Sequence, residues 1–192
     1  MSTDDQLGKR GRALEEDYFR RKDQELIEKM REKVAAERAQ QALGATTGLT
    51  DPALLQELQT LGFTLDTVSL LPLVPVLQVA WAEGGVTAGE RNLIRRLAEV
   101  RGIKTGTPAD AQLTSWLEHR PPDAVFAGAG RLIRAMMETN ADVVGDLSAD
   151  DLVAYSEKVA AASGGVFGIG RVSGEERELL ASIAADLKGR RS

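Results

Sequence analysis

The sequence has no cysteine, one histidine and few aromatic residues. Among its 192 residues, His119 is the single histidine and aromatic side chains make up 4%. Disulfides, thiol catalysis and cysteine-ligated metal sites are therefore excluded. His119 has no second histidine to join it in a metal site or a triad, and its position near a predicted helix end favours exposure to water.

Long apolar runs are also missing. The longest one, residues 68–82, is interrupted by Pro72, Pro75 and Gln78, and it is shorter than the roughly 20 residues needed to span a bilayer. It predicts a helix, bent or restarted near the prolines, at the centre of a bundle. The N-terminus lacks the apolar segment of a secretory signal, so we expect a cytoplasmic protein without a transmembrane segment.

Small, aliphatic and charged residues dominate the composition. Hydrophobic residues make up 43% of the chain and charged residues 28%, which favours an all-α protein with a helical core. The net charge of −5 argues against nucleic acid as a partner.

Residues 1–43 predict one long charged helix, because neither glycine nor proline interrupts residues 12–43. At about 100° per residue, five apolar side chains fall within an arc of roughly 100°. These are Phe19, Leu26, Ile27, Met30 and Val34. The other faces are charged, with acid-first pairs at the i, i+4 spacing such as Glu25 with Lys29.

A sustained coiled coil with a second copy is disfavoured. In the best heptad frame the a and d positions include Arg20, Asp23 and Glu37, so only part of the seam is apolar. A helix of this length with one apolar arc therefore predicts a contact with another protein.

The same segment carries a family motif. Residues 8–22 read GKRGRALEEDYFRRK and fit the pattern GKRxxAxEExYFRxK, and an acidic and aliphatic helix follows. The segment resembles the inhibitory region of the natural inhibitor protein of the F-type ATP synthase. In that family the helix wedges between subunits of the catalytic head and blocks ATP hydrolysis without doing chemistry.

The resemblance implies a role for several residues at once. Glu15 becomes an ion-pair partner for a target arginine, while Arg20 and Lys22 become basic contacts. The predicted partner-binding residues are Glu15, Glu16, Tyr18, Phe19, Arg20, Lys22, Leu26, Ile27 and Met30. The chain departs from the family at Leu14 and Asp17, and it has no counterpart of the family's histidine-rich coiled coil.

After the predicted helix, residues 44–50 (GATTGLT) indicate a hinge, and residues 51–192 predict a bundle of about six helices. Three cap signals mark helix starts inside this bundle. They are Thr87 with Glu90, Thr107 with Asp110, and Ser148 with Asp151. The small residues at positions 127–130 predict close approach between helices.

The bundle also contains an internal repeat. VTAGERNLIRRLA from Val86 matches VSGEERELLASIA from Val172, which predicts a helix, a Gly-rich turn and a capped helix used twice. With the preceding residues AWAEGG, the first copy resembles the motif of the TerB tellurite-resistance family, and the likeness spans about residues 65–187. That resemblance implies an all-helical domain with acidic metal contacts and a stress-related role. Glu83 and Ser163 stand where the family has aspartate.

Two groups of residues fit either a ligand site or a structural role. Glu83, Glu90 and Glu176 are candidate ligands for a divalent cation, but Glu90 and Glu176 also suit helix caps, which we favour. The Gly-rich residues 164–171 suggest an anion loop, yet no Gly-Lys-Ser/Thr follows. We favour an inter-helix loop there, and we predict no metal site and no cofactor.

No catalytic constellation is found, so we predict a protein that is not an enzyme. We expect a regulatory protein whose N-terminal helix binds a partner, most concretely an inhibitor of ATP hydrolysis by the F-type ATPase. The alternative is a TerB-like stress or scaffold module, with or without divalent metal. The sequence leaves the oligomeric state open.

Overall fold

The computed structural model describes residues 3–82, 84–139, 148–162 and 174–188, with side chains for all of these except residues 3–17, 175, 176 and 188. By its internal contacts the chain divides into two compact units, Met1–Gln41 and Ala42–Ser192.

The protein is all-α, as predicted, and the described residues contain no strand. Within the described ranges, eight α-helices and one 3₁₀ helix follow each other. They are α1 (Thr3–Thr47), α2 (Pro52–Thr60), the 3₁₀ helix (Val68–Leu73), α3 (Val74–Ala80), α4 (Ala88–Val100), α5 (Pro108–Glu118), α6 (Asp123–Glu138), α7 (Ala149–Ala162) and α8 (Gly174–Lys188). The described residues of the second unit therefore hold seven α-helices, where about six were predicted. Within the described residues, no helix combines the length and the apolar content that crossing a membrane requires.

Helix α1 is longer than predicted. It was expected to give way to a hinge at residue 44, but it continues to Thr47, and only residues 48–50 lie between α1 and the Asp51 cap of α2. Tertiary packing explains the difference, because Leu43 and Thr47, one turn apart, are both fully buried. The Thr47 hydroxyl also donates to the Leu43 carbonyl oxygen at 2.7 Å.

Helix α3 lies at the centre of the bundle, as its apolar sequence predicted. It packs against α4, α6, α7, α8 and the 3₁₀ helix. Six of its seven residues are buried. The prolines shape this region: Pro72 lies inside the 3₁₀ helix and Pro75 in the first turn of α3, and the α-helix ends at Ala80, before the apolar run ends at residue 82. The Trp81 indole N–H donates to the Trp116 carbonyl oxygen at 2.8 Å, and this bond links the end of α3 to α5.

Two of the three predicted caps form completely. The Thr87 side chain accepts from the Glu90 N–H, and the Glu90 carboxylate accepts from the Thr87 N–H. Ser148 and Asp151 exchange the same two bonds at 2.9 and 3.1 Å. At the third cap, Thr107 accepts from the Asp110 N–H, but the Asp110 carboxylate accepts from the Gly106 N–H instead of closing the box.

The Ser148 cap is sensitive to acid. Hydrogen bonds from the Ser148 hydroxyl and then from its N–H hold the pKa of the Asp151 carboxyl below its usual value. A lowered pKa means that the carboxylate stabilises the start of α7 above the unfolded-state pKa. That contribution is lost as the pH falls through the lower pKa of the folded state.

Glycines allow close helix packing at three places. A Cβ at Gly128 would come within 2.8 Å of a Leu61 methyl carbon, and one at Gly130 within 2.9 Å of the Asp186 Cβ. These two contacts agree with the close approach predicted for residues 127–130. In α4, a Cβ at Gly89 would lie 2.9 Å from the Ala162 carbonyl oxygen at the end of α7. Gly89 therefore sets how closely α4 approaches α7.

We predict that Gly89→Ala lowers the free energy of unfolding by about 1–3 kcal/mol, because the new methyl group overpacks against backbone that has little room to move. Urea denaturation followed by circular dichroism measures this change. Gly85→Ala is the matched control, since a Cβ there meets nothing within 4 Å. Equal stability of the two variants would contradict the close contact.

Candidate protein-docking site on helix α1

Helix α1 exposes large apolar side chains over about four turns. The exposed fractions are 58% for Tyr18, 62% for Phe19, 58% for Leu26, 49% for Ile27, 60% for Met30 and 44% for Val34. Elsewhere in the described part of the chain, Leu65 and Val100 are the other exposed large hydrophobic residues. Five of the six residues on α1 form the predicted arc, which we call the apolar stripe: Phe19, Leu26, Ile27, Met30 and Val34.

Local interactions support the helix beneath the stripe. Every side chain from residue 18 to residue 39 is exposed. The stability of this stretch therefore rests on helix propensity and on ion pairs, each contributing a few tenths of a kcal/mol. Lys22 pairs with Glu25 at 3.3 Å and Lys33 with Glu37 at 4.0 Å. The expected Glu25–Lys29 pair is replaced by Lys22–Glu25, because a lysine one turn earlier reaches the same carboxylate.

Tyr18 faces a different direction from the stripe. Consecutive residues of an α-helix are about 100° apart, and Tyr18 lies roughly opposite Ile27 around the axis. Its ring still touches Phe19 edge-to-face, with centroids 5.8 Å apart, and the Lys22 ammonium lies 5.9 Å from its centroid. A partner that contacts both Tyr18 and the stripe must enclose the helix on more than one side.

The predicted partner-binding residues have different outcomes. All the apolar members are exposed on α1 within the stretch from Tyr18 to Met30. Arg20 and Lys22 are exposed as well. The side chains of Glu15 and Glu16 lie outside the part of the chain whose side chains the structure describes, so their predicted roles stay predictions.

The candidate metal ligands do not come together. Glu90 is buried, and its Oε2 accepts from the Thr87 N–H at 2.7 Å and from the Thr87 hydroxyl at 2.8 Å, which agrees with the cap that we favoured. Glu83 and the Glu176 side chain lie outside the described residues, as do residues 164–171. Within the described chain, no three acidic or histidine side chains are grouped so that they could hold a metal ion. His119 is exposed at the end of α5.

Two features of the surface were missed in the sequence. A shallow depression on α1 is lined by part of the stripe together with Arg31, Ala35 and Arg38. On the second unit, a groove of about 200 Å³ runs between α4 and α7. Its lining is Leu93, Arg96, Leu97, Val100, Tyr155, Lys158 and Val159. A signal existed in both cases, because each pairs apolar residues at helical spacing with arginine or lysine, but only the fold shows which of them reach the surface.

Comparison with family models, with curated proteins and with solved structures found no match to this chain.

We predict that Leu26→Gln and Met30→Gln leave the free energy of unfolding of the bundle within about 0.5 kcal/mol of its original value, because both side chains are exposed and glutamine is a good helix former. Urea denaturation followed by tryptophan fluorescence reports on the bundle, since Trp81 and Trp116 are both in the second unit.

The matched control is Leu58→Ala, which removes a fully buried side chain and should cost about 2–5 kcal/mol. A comparable loss in Leu26→Gln or Met30→Gln would mean that the stripe supports the fold and is not available for docking.

Proposed function

We propose that this chain is a non-catalytic regulatory protein whose α1 helix docks into another protein. The observation that carries the proposal is the exposed apolar stripe, with Tyr18 beside it. Soluble proteins rarely leave a cluster of large apolar side chains exposed unless it binds something. The proposed compartment is the cytoplasm.

The exposed fractions give an estimate of the affinity. Full burial of one such side chain contributes about 1.5–3 kcal/mol, and these six are about half exposed, so complete coverage contributes roughly 5–9 kcal/mol in total. Association itself costs about 4–15 kcal/mol in lost freedom of motion. Apolar burial alone is therefore too weak for micromolar binding, which needs about 8 kcal/mol net, and charged contacts must supply the rest.

The most concrete partner is the catalytic head of the F-type ATPase. Residues 8–22 support this choice through their resemblance to the natural inhibitor protein, whose helix wedges between subunits of that head. The geometry of α1 suits such a site, because Tyr18 and the stripe face different directions and an enclosed helix satisfies both. Bound in this way, α1 blocks the rearrangement of subunits that ATP hydrolysis requires, and no residue of this chain takes part in the chemistry.

We predict that the full-length chain, added at micromolar concentration to purified F-type catalytic head, reduces ATP hydrolysis. The double variant Phe19→Gln with Met30→Gln removes two members of the stripe, or about 2 kcal/mol of apolar contact, and should raise the half-inhibitory concentration about 30-fold. A coupled assay of ADP release measures both effects.

The control variant is Val100→Gln, which changes an exposed apolar residue of the bundle and should inhibit like the unaltered chain. Hydrolysis that is unchanged at tens of micromolar of the full chain would refute inhibition of the head.

The runner-up is a TerB-like stress or scaffold module that binds through its bundle. The groove between α4 and α7 favours this alternative, since Val100 is 83% exposed at its edge. A version that uses a divalent cation has less support, because the Glu90 carboxylate already serves the Thr87 cap. The two functions differ in the variant that abolishes binding, Met30→Gln for α1 docking and Val100→Gln for the groove.

A further inference from the structure

Arg20, Arg31 and Arg38 border the apolar stripe on the same side. Arg31 and Arg38 line the depression formed with Ile27, Met30 and Val34. Around the helix axis these two arginines lie within about 40° of Ile27, and along the axis they are about 10 Å apart. Among the described side chains, the charged residues nearest the opposite border are two lysines, each paired with a glutamate of α1, so the two edges of the stripe differ.

Neither Arg31 nor Arg38 has a charged partner among the described side chains of α1. Both are exposed, and neither takes part in an ion pair or a hydrogen bond with another described side chain. The sequence explains this for Arg38, because the residues three and four positions before it, Ala35 and Val34, are apolar and those after it carry no charge. Arg31 has only Glu28 at such a spacing, and no pair forms. By contrast, Lys22 and Lys33 on the same helix are paired.

We propose that the docking partner presents a groove with an apolar floor and a row of carboxylates along one wall, where it meets Arg31 and Arg38. The inference rests on the docking function proposed above and specifies the chemistry of the partner. Arginine suits this role because its planar guanidinium binds a carboxylate through two parallel hydrogen bonds. These pairs supply the charged contacts that the weak apolar burial requires.

A second copy of this chain does not fit the stripe. In an antiparallel pair of identical helices each edge meets the same edge of the other copy, so the edge with Arg31 and Arg38 faces itself. In a parallel pair, the carboxylate of Asp23, which lies within the arc of the stripe, faces its own copy across the seam. Both arrangements place like charges together. A partner with a row of carboxylates instead places opposite charges beside Arg31 and Arg38.

A membrane surface fits less well than an acidic groove. Residues 18–41 carry seven basic and five acidic side chains, a net charge of only +2. Helices that lie on anionic lipid gather basic residues on the polar face, whereas the face of α1 opposite the stripe carries Glu25, Glu28 and Glu32. Asp23 and Glu37, in or beside the stripe, would also be pressed towards the lipid headgroups.

The test compares charge reversals at matched positions in the full-length chain. Arg31→Glu and Arg38→Glu reverse the proposed edge, while Lys29→Glu reverses an exposed charge about 160–180° away around the helix. All three change the net charge equally. In the assay with the catalytic head, we expect each arginine variant to raise the half-inhibitory concentration about tenfold or more and Lys29→Glu to raise it less than about threefold. Circular dichroism confirms that helicity is kept.

Each of the other possible results overturns the proposed acidic wall. Equal effects of the three reversals would leave the docking function standing and overturn the acidic wall. No inhibition by the unaltered chain would overturn the docking to the head and the inference with it. Binding to phosphatidylserine-containing vesicles, but not to pure phosphatidylcholine, that is lost in Arg31→Glu would identify a lipid surface and overturn the inference. A dimer in sedimentation that disappears in Met30→Gln would identify a second copy and overturn it as well.

Discussion

Helix α3 has no polar face, so the second unit is stable only if other helices cover α3 on all sides. Gln78 is the one polar residue among its seven, and it too is half-buried. The 3₁₀ helix, α4, α6, α7 and α8 all pack against α3 and turn their apolar faces inward. The resulting core includes side chains from Leu43 to Leu187 and none from residues 18–41. The fold therefore completes its core without the apolar stripe.

The absence of the stripe from the core is what supports a binding role for it. An apolar residue that serves the fold is buried, as Leu43 is about two and a half turns after Val34 on the same helix. The stripe residues stay in contact with water, which costs free energy that another protein can recover on binding. Because no side chain of the stripe is buried, we expect that the proposed docking surface can change in sequence without unfolding the bundle.

Local signals were sufficient to predict much of this structure. The Thr87 and Ser148 caps depend on side chains three residues apart, and both formed as expected. The periodicity of the stripe predicted correctly which residues share a face of α1. Helix boundaries that depend on tertiary contacts could not be predicted in this way. Residues 44–47 have the composition of a hinge, yet burial of Leu43 and Thr47 keeps them helical.

The candidate site shows a similar limit. Tyr18, Phe19 and Met30 could be singled out from motif and periodicity, but their exposure required the fold. Arg31 and Arg38 were missed because arginines are common on charged helices. The role of such an arginine depends on which apolar residues lie beside it and on whether an acidic side chain is close enough to pair with it. The second copy of the internal repeat begins at residue 172, outside the described residues. In the described part, the corresponding elements α4 and α8 are both α-helices, and both pack against α3.

Affinity and specificity make opposite demands on the stripe. A longer or wholly apolar stripe would bind a partner more tightly, but it would also bind its own copies. Charges at its border weaken both kinds of binding except where the opposing wall carries the opposite sign. Under the proposed function, Arg31 and Arg38 thus reject self-association and select an acidic groove by the same interaction. A small apolar surface, bordered by arginines that have no ion-pair partner among the described side chains, is the arrangement expected of a reversible regulator, because its contact forms with one partner and remains weak enough to release.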